Sequence, residues 1–392
     1  MDVLLLSAYF GVLTLLALSG LHRLHLTLQA LRRPKRTESE TPTEWPTVVI
    51  QLPMYNEAFV AERVIRAAAA QTYPPDRFSV QVLDDSTDET VGVVNRVVAD
   101  LQRAGRPVEV VRRPKRTGFK AGALAYGLEQ SDAELVAIFD ADFVPLPDFL
   151  EKMVPHLHSD PKLGLVQARW SHLNRDASML TRAQGVFLDG HFAIEHAGRD
   201  RAGLLFNFNG TAGIWRRSAI EQAGGWRADT ITEDLDLSYR AQLAGWRFQY
   251  EHDVIAPAEL PESWSAFRSQ QARWVRGSVE TASLLLPTVL RARQLNVRQR
   301  SEAFIHLTNN FAYLFMAALA LLLPMAVVLR DQLGWRVPGG QTLLSGLDVT
   351  MLIAGTLAMI VFYGAAAVRC RAGWRIIDLL FALCLGCGMS LA

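Results

Sequence analysis

Leu135-Val-Ala-Ile-Phe139-Asp140-Ala-Asp142 is a short apolar run that stops on two carboxylates one residue apart. Val80-Gln-Val-Leu83-Asp84-Asp85 repeats the pattern upstream, and Thr47 to Leu52 reads as a third buried strand. Helical stretches separate these runs: Ala-rich Glu57 to Gln71, Glu89 to Arg103 and Lys120 to Glu129, with a further short strand at Val108 to Val111. Val- and Ile-rich strands alternating with helices imply parallel strands joined by crossover helices, an α/β class. In such sheets ligands sit beyond the carboxyl ends of the strands, where both acidic signatures fall.

Outward from this core the chain becomes apolar. Of its 392 residues half are hydrophobic, and the excess gathers at the ends. Val3 to Leu21, which has no charged side chain, Ala303 to Leu329, and Leu347 to Val368 with Asp348 near its edge each approach or exceed the ~20 residues of helix that cross a bilayer; Ile376 to Ala392 is marginal. Val3 to Leu21 is long for a signal peptide, carries Asp2 where a basic n-region would stand and lacks a small-x-small cleavage site, so an uncleaved anchor is expected. Arg23, Arg32, Arg33, Lys35 and Arg36 follow it, and Arg369, Arg371 and Arg375 follow the third run. Both basic clusters give one topology: N-terminus outside and residues up to about 300 cytosolic. The expected organisation is a membrane helix at 1–30, a Thr-, Glu- and Pro-rich linker at 31–46, a globular domain at 47–258, amphipathic interfacial helices at 259–300 and membrane helices at 301–392.

A formal net charge of +1 argues against a nucleic-acid binder. Cys370, Cys384 and Cys387 all lie in or beside apolar segments, so no disulfide framework is expected, and the C-x-x-C reads as helix packing. His191 and His196, five apart, would not share an α-helix face, which argues against a zinc pair.

The acidic signatures carry the chemistry. Carboxylates repel a diphosphate unless a divalent cation bridges them, and Mg2+ or Mn2+ with oxygen ligands would do so. Asp140 and Asp142 at a strand end can both reach one ion, though D-x-D also occurs in surface turns. Asp84-Asp85-Ser-Thr-Asp88 fits nucleotide binding or an Asp-rich turn with a helix cap. In Pro53-Met-Tyr55-Asn56-Glu57, the Tyr and Glu suit a nucleobase, by stacking and by accepting ring N–H bonds; Asn56 equally suits a helix cap. Gly118-Phe-Lys120-Ala-Gly122 opens a helix where small residues admit a phosphate and Lys120 can meet it. Thr232-Glu233-Asp234 opens another, with Thr232 as cap and the acids favoured by the helix dipole. Sugar transfer with inversion needs one base, for which Asp234 is the first candidate and Glu233 the second. Asn209-Gly210-Thr211 suits a loop touching sugar hydroxyls, or an ordinary turn. Gln270-Gln-Ala-Arg273-Trp274 lies on an amphipathic helix, where Arg273 can neutralise a departing diphosphate and Trp274 can face an acceptor sugar.

The series QLPMYNE, QVLDDSTDET, GFKAGAL, AIFDADFVPLPDFL, FNGTAGIWR, TEDLDLSYRAQLAGW and SQQARW, from about Val48 to Gly277, resembles the family 2 inverting glycosyltransferases of the cellulose synthase type. It is most similar to their cellulose-synthase-like A and C branch, the mannan, glucomannan and xyloglucan-backbone synthases. That resemblance implies a GT-A fold against membrane helices, in a multi-pass protein of the plasma (inner) membrane. It implies Asp84 and Asp85 at the nucleotide, Asp140 and Asp142 at the diphosphate and its metal, and Asp234 as base. Gln270, Arg273 and Trp274 would border the diphosphate and acceptor. The plant branch usually has His at Ala272 and often Val at Thr232, and relatives carry further membrane helices beyond the position of Ala392. The expected activity is hexose transfer from GDP-mannose or UDP-glucose to a growing β-1,4 glycan, processive and exported. Transfer of one or a few sugars to a membrane lipid is the alternative, and a silent nucleotide-sugar-binding scaffold is a third reading.

Overall fold

The computed structural model describes residues 2–32, 39–334 and 340–390. Arg33, Lys35 and Arg36 of the expected linker lie outside the described residues. The strands are β1 (Val48–Met54), β2 (Phe78–Asp84), β3 (Val108–Val111), β4 (Leu135–Ile138), β5 (Leu163–His172), β6 (Gly213–Arg216) and β7 (Arg247–Ala258). The helices are α1 (Asp2–Ala30), α2 (Ala58–Ala69), α3 (Thr90–Arg103), α4 (Phe119–Glu129), α5 (Phe149–Ser159), α6 (Met179–Gly190), α7 (Ala197–Arg201) and α8 (Arg217–Gln222). They continue as α9 (Glu233–Leu243), α10 (Trp264–Arg291), α11 (Val297–Thr308), α12 (Phe311–Gly334), α13 (Gly340–Cys370) and α14 (Ile376–Met389).

All seven strands form one sheet in the order β3-β2-β1-β4-β6-β5-β7. Strand β1 pairs in parallel with β2 and β4, and β2 with β3, as the alternation of strands and helices requires. The expectation of parallel pairing fails beyond β4: β6 runs antiparallel to both β4 and β5. Its four residues are too few to carry a readable period, and it is reached from β5 through α6, α7 and the Asn209 loop.

Apolar runs without alternation are explained by helices on both faces. Ile50, Leu52, Val80 and Val82 pack on α2, α3 and α5. Val49, Leu83, Val136 and Ile138 pack on α4, α8 and α9. Each fully buried side chain contributes roughly 1.5–3 kcal/mol, so Ile50→Ala, which also leaves a cavity, costs about 2–5 kcal/mol. The carboxyl ends of β1, β2 and β4 thereby become a rigid edge, from which Tyr55, Asp84 and Asp140 project.

Among the described residues three helices are long and apolar enough to cross a membrane: Val3–Ala30, Phe311–Leu329 and Thr342–Cys370. The run read as Ala303 to Leu329 is instead two helices, α11 and α12, parted at the Asn309-Asn310 turn. Helices α1 and α13 approach closely at Gly20 and Gly355, where a Cβ on Gly20 would stand 3.0 Å from the Gly355 Cα. Arg201 and Arg369 donate to the Ala30 carbonyl, closing the orphan end of α1 on the globular part. Cys384 and Cys387, expected to pack between helices, are exposed on α14.

Candidate active site

Lys120 is the hub of the edge. It stands in the first turn of α4, behind Gly118, whose φ of +69° turns the chain, and Phe119 at +47°. Its Nζ donates to Asp140 Oδ1 at 2.5 Å and to the Gly210 carbonyl at 2.9 Å. Gly210 sits at φ +78°, where any L side chain is strained, and a Cβ there would also crowd Asp234 Oδ2 at 3.2 Å. Thr211 Oγ1 accepts from the Asp140 N–H at 2.9 Å. One cation therefore bonds the end of β4 to the loop before β6, and the start of α9 lies beside that loop.

The charges are unbalanced. Burial lowers the Lys120 pKa, but Asp140, Glu233 and Asp234 outweigh it and hold the ammonium above its usual range. Burial, then the neighbouring Asp140 charge, pushes Asp142 up to about 7. Asp234 likewise rises to about 7, through burial and then Glu233, although its Oδ1 accepts the Leu235 N–H. Glu233 is raised chiefly by burial, against the pull of Lys120. Glu57 is raised by burial, with Asp140 and Asp88 adding to it.

Asp84 and Asp85 differ. Arg112 donates to Asp84 Oδ2 at 2.9 and 2.6 Å, and Arg113 forks onto both oxygens of Asp85 at 2.8 and 2.5 Å. Arg113 also donates to the Thr117 and Phe119 carbonyls, so the second strand end is tied to the start of α4. Tyr55 is exposed, with the Arg116 guanidinium 3.4 Å from its ring centre. Pro53 pairs with Leu83 in the β1–β2 register, and the Asp85 N–H donates to the Met54 carbonyl.

Two capping expectations fail. Asn56, at φ +58°, does not cap α2; its side chain accepts from the Thr87 N–H and so clasps the β1 and β2 loops together. The Thr232 side chain makes no capping bond to α9 and instead meets the Thr281 hydroxyl of α10 at 3.0 Å. Gly277 makes that crossing possible, since a Cβ there would lie 2.6 Å from Thr232 Cγ2. Gln270, Arg273 and Trp274 lie N-terminal to the crossing on α10; Arg273 and Trp274 are exposed.

Besides Arg112 and Arg113, the sequence does not single out Gln167, His191 and His196 as site residues. Gln167 is fully buried on β5; its Oε1 accepts the Asn209 N–H, and its Nε2 donates to the Thr211 and Ala212 carbonyls. A polar side chain inside the apolar run Leu163 to Ala168 was the available signal. His191 and His196 do share a face, their ring centres 4.4 Å apart, because residues His191–His196 form a π-helical turn, whose larger number of residues per turn brings five-residue neighbours together. Both imidazoles bond the Asn209 side chain.

Among the described residues no group of three or more His, Cys, Asp or Glu side chains is placed to enclose a metal ion. Asp140 and Asp142 nevertheless suit a hard divalent cation, because they are oxygen donors carrying more negative charge than Lys120 offsets. A ligand's own oxygens would complete the coordination.

A family model described as glycosyltransferase like family 2 matches residues 46–277. The chain is 42% identical over 273 residues to "Probable glucomannan 4-beta-mannosyltransferase 4" of Oryza sativa subsp. japonica, covering 69% of this chain and 49% of that one. It is 44% identical over 259 residues to "Glucomannan 4-beta-mannosyltransferase 2" of Arabidopsis thaliana, covering 64% and 48%. The chain thus spans about half the length of these curated relatives. Its fold matches that of a mannosyltransferase, PcManGT from Pyrobaculum calidifontis, solved in complex with GDP-Man and Mn2+, with a TM-score of 0.65 at 22% identity, over 95% of this chain and all of that one.

Proposed function

The chain belongs to glycosyltransferase like family 2, and from that premise we propose that it transfers mannose from GDP-mannose to the end of a β-1,4-linked glycan at a membrane surface. The observation that carries this reading is the convergence on Lys120 of Asp140, the Gly210 carbonyl and the Glu233-Asp234 pair. The choice of mannose over glucose leans on the glucomannan mannosyltransferase relatives.

In this reading Asp234 is the base. Its carboxylate takes the proton of the acceptor hydroxyl while that oxygen attacks the anomeric carbon from the face opposite the diphosphate. The new glycosidic bond forms, the bond to the diphosphate oxygen breaks with its electron pair, and the configuration inverts. Lys120 offsets the negative charge gathering on the leaving group. Asp140 and Asp142 would hold Mg2+ or Mn2+, which supplies further positive charge to the diphosphate. Asp85, Asp84, Tyr55, Pro53 and Glu57 form the nucleoside side, and Asn209, Gly210, Thr211 and Trp274 the acceptor side. Arg273 and Gln270 stand at the diphosphate edge, with the catalytic face cytosolic and the product leaving through the membrane.

The test supplies membranes with labelled GDP-mannose or UDP-glucose, with and without Mn2+, and digests the product with linkage-specific hydrolases. Label in a polymer cut by a β-1,4-mannanase is expected. Label extracted into organic solvent would move the acceptor to a lipid, and incorporation from UDP-glucose alone would overturn the donor.

A further inference from the structure

Behind the acceptor loop lies a chain of polar groups whose hydrogens can be assigned from their partners. Within the π-helical turn, His196 is fully buried and its Nε2 faces the Asn207 carbonyl at 3.0 Å and Asn209 Oδ1 at 2.6 Å. A carbonyl only accepts, so Nε2 carries the hydrogen; Nδ1, buried without a partner among the described residues, carries none. The Asn209 atom beside it is therefore the amide oxygen. At the other end, Asn209 Nδ2 lies 2.8 Å from His191 Nε2, and His191 Nδ1 lies 3.3 Å from Glu195 Oε2. Glu195 is an anion: burial would raise its carboxyl, but the His191 hydrogen bond and the charges of Arg199 and Arg23 hold it well below its usual range. A carboxylate also only accepts, so His191 Nδ1 carries a hydrogen, and the Asn209 amide nitrogen, placed here by the His196 end, donates to His191 Nε2. The His196 end thus sets the orientation of the carboxamide, and the Glu195 end is compatible with it.

The far side of the chain reaches the membrane. Glu195 is 3.4 Å from Arg23 on α1 and 3.5 Å from Arg199, and Arg199 donates to Glu302 of α11, whose other oxygen meets His22 of α1 at 2.7 Å.

We propose that Glu195, His191 and His196 are positioning residues that lock the Asn209 carboxamide in one orientation behind the acceptor loop and register that loop against helix α1. The inference rests on the acceptor-side reading of Asn209. None of the three need touch the sugar. Gly210, next in the chain, carries the carbonyl that Lys120 grips, so the lock sits one residue from the reacting centre.

Solid-state NMR of the full chain with 15N-histidine in lipid vesicles tests the lock without any substrate. The expected result is a neutral His191 with its proton on Nδ1 and a neutral His196 with its proton on Nε2; a proton on His191 Nε2 would overturn the inference. Transfer from labelled GDP-mannose to a soluble β-1,4-manno-oligosaccharide provides the second arm. His191→Leu removes the acceptor nitrogen and is expected to raise the acceptor KM about tenfold while the donor KM holds. His191→Gln, whose amide oxygen can stand where Nε2 stood, is expected to recover most of it. Equal losses in both variants, or a donor KM that moves with the acceptor KM, would reduce His191 to packing and end the proposal. If the parent chain transfers no sugar at all, the acceptor-side reading falls while the tautomer result stands on its own.

Discussion

The same residue type serves two opposite ends at neighbouring strand termini. At the end of β2, Asp84 and Asp85 are each matched by an arginine, and the Asp84 side chain is fully buried in that state. At the end of β4 and the start of α9, Asp140, Asp142, Glu233 and Asp234 surround Lys120, and Asp142 and Asp234 are pushed up to about 7. The first pair is complete without any ligand. The second group is short of positive charge, which is the condition for taking up a cation and for holding a base near neutrality. A carboxylate's role here is set by whether the chain itself supplies the counter-charge.

The comparison breaks most plainly at Asp234. Asp234→Asn should lower kcat by roughly 10²–10⁴, the usual contribution of a general base, while thermal stability holds or rises because a buried charge is gone. Parent-rate transfer by that variant would remove Asp234 as base and leave Glu233 to be tried.

Stability should respond in the opposite place. Arg113→Met leaves Asp85 buried without its fork and should cost about 3–5 kcal/mol, measured as a fall in unfolding temperature that Mn2+ does not restore. Lys120→Met strips the second group of its cation, and there Mn2+ should restore much of the loss. Equal responses of the two variants to Mn2+ would erase the distinction between the regions.

Why was the first half of this site legible and the rest less so? Strands β1, β2 and β4 are buried on both faces, so composition alone marks them, and their final residues fall at the sheet edge by geometry. The arginines of Asp84 and Asp85 were not foreseen, because Arg112 and Arg113 follow a different strand and only the β2–β3 register brings them alongside. The π-helical turn is a departure of one residue from the α-helix period, so a rule of three and four placed His191 and His196 apart. Asn56 and Thr232 have the chemistry of caps, yet tertiary partners claimed their side chains first.

A gentler probe asks whether the second group takes up a cation. Mn2+ at a hundredfold excess over its dissociation constant should stabilise the parent chain by about 2.7 kcal/mol, seen as a higher unfolding temperature. Asp142→Asn should abolish that rise while leaving the stability of the ion-free protein equal or higher, since a carboxyl raised by burial is costly to ionise. A rise that survives in Asp142→Asn would move the cation elsewhere.

The smallest effect is a displacement along the pH axis. Asp234 must be ionised to accept a proton, so kcat/KM for the acceptor should rise with pH through about 7 and level off above it. Stability runs the other way. A carboxyl whose folded pKa lies above its unfolded one contributes most when protonated, so that contribution is lost as pH climbs through about 7. Glu233 is the neighbouring charge that helps to raise Asp234, and Glu233→Gln should therefore slide the acidic limb of the rate profile to lower pH while leaving the plateau nearly unchanged. Were Glu233 the base, the same substitution would collapse the plateau instead, and the two acids would exchange roles.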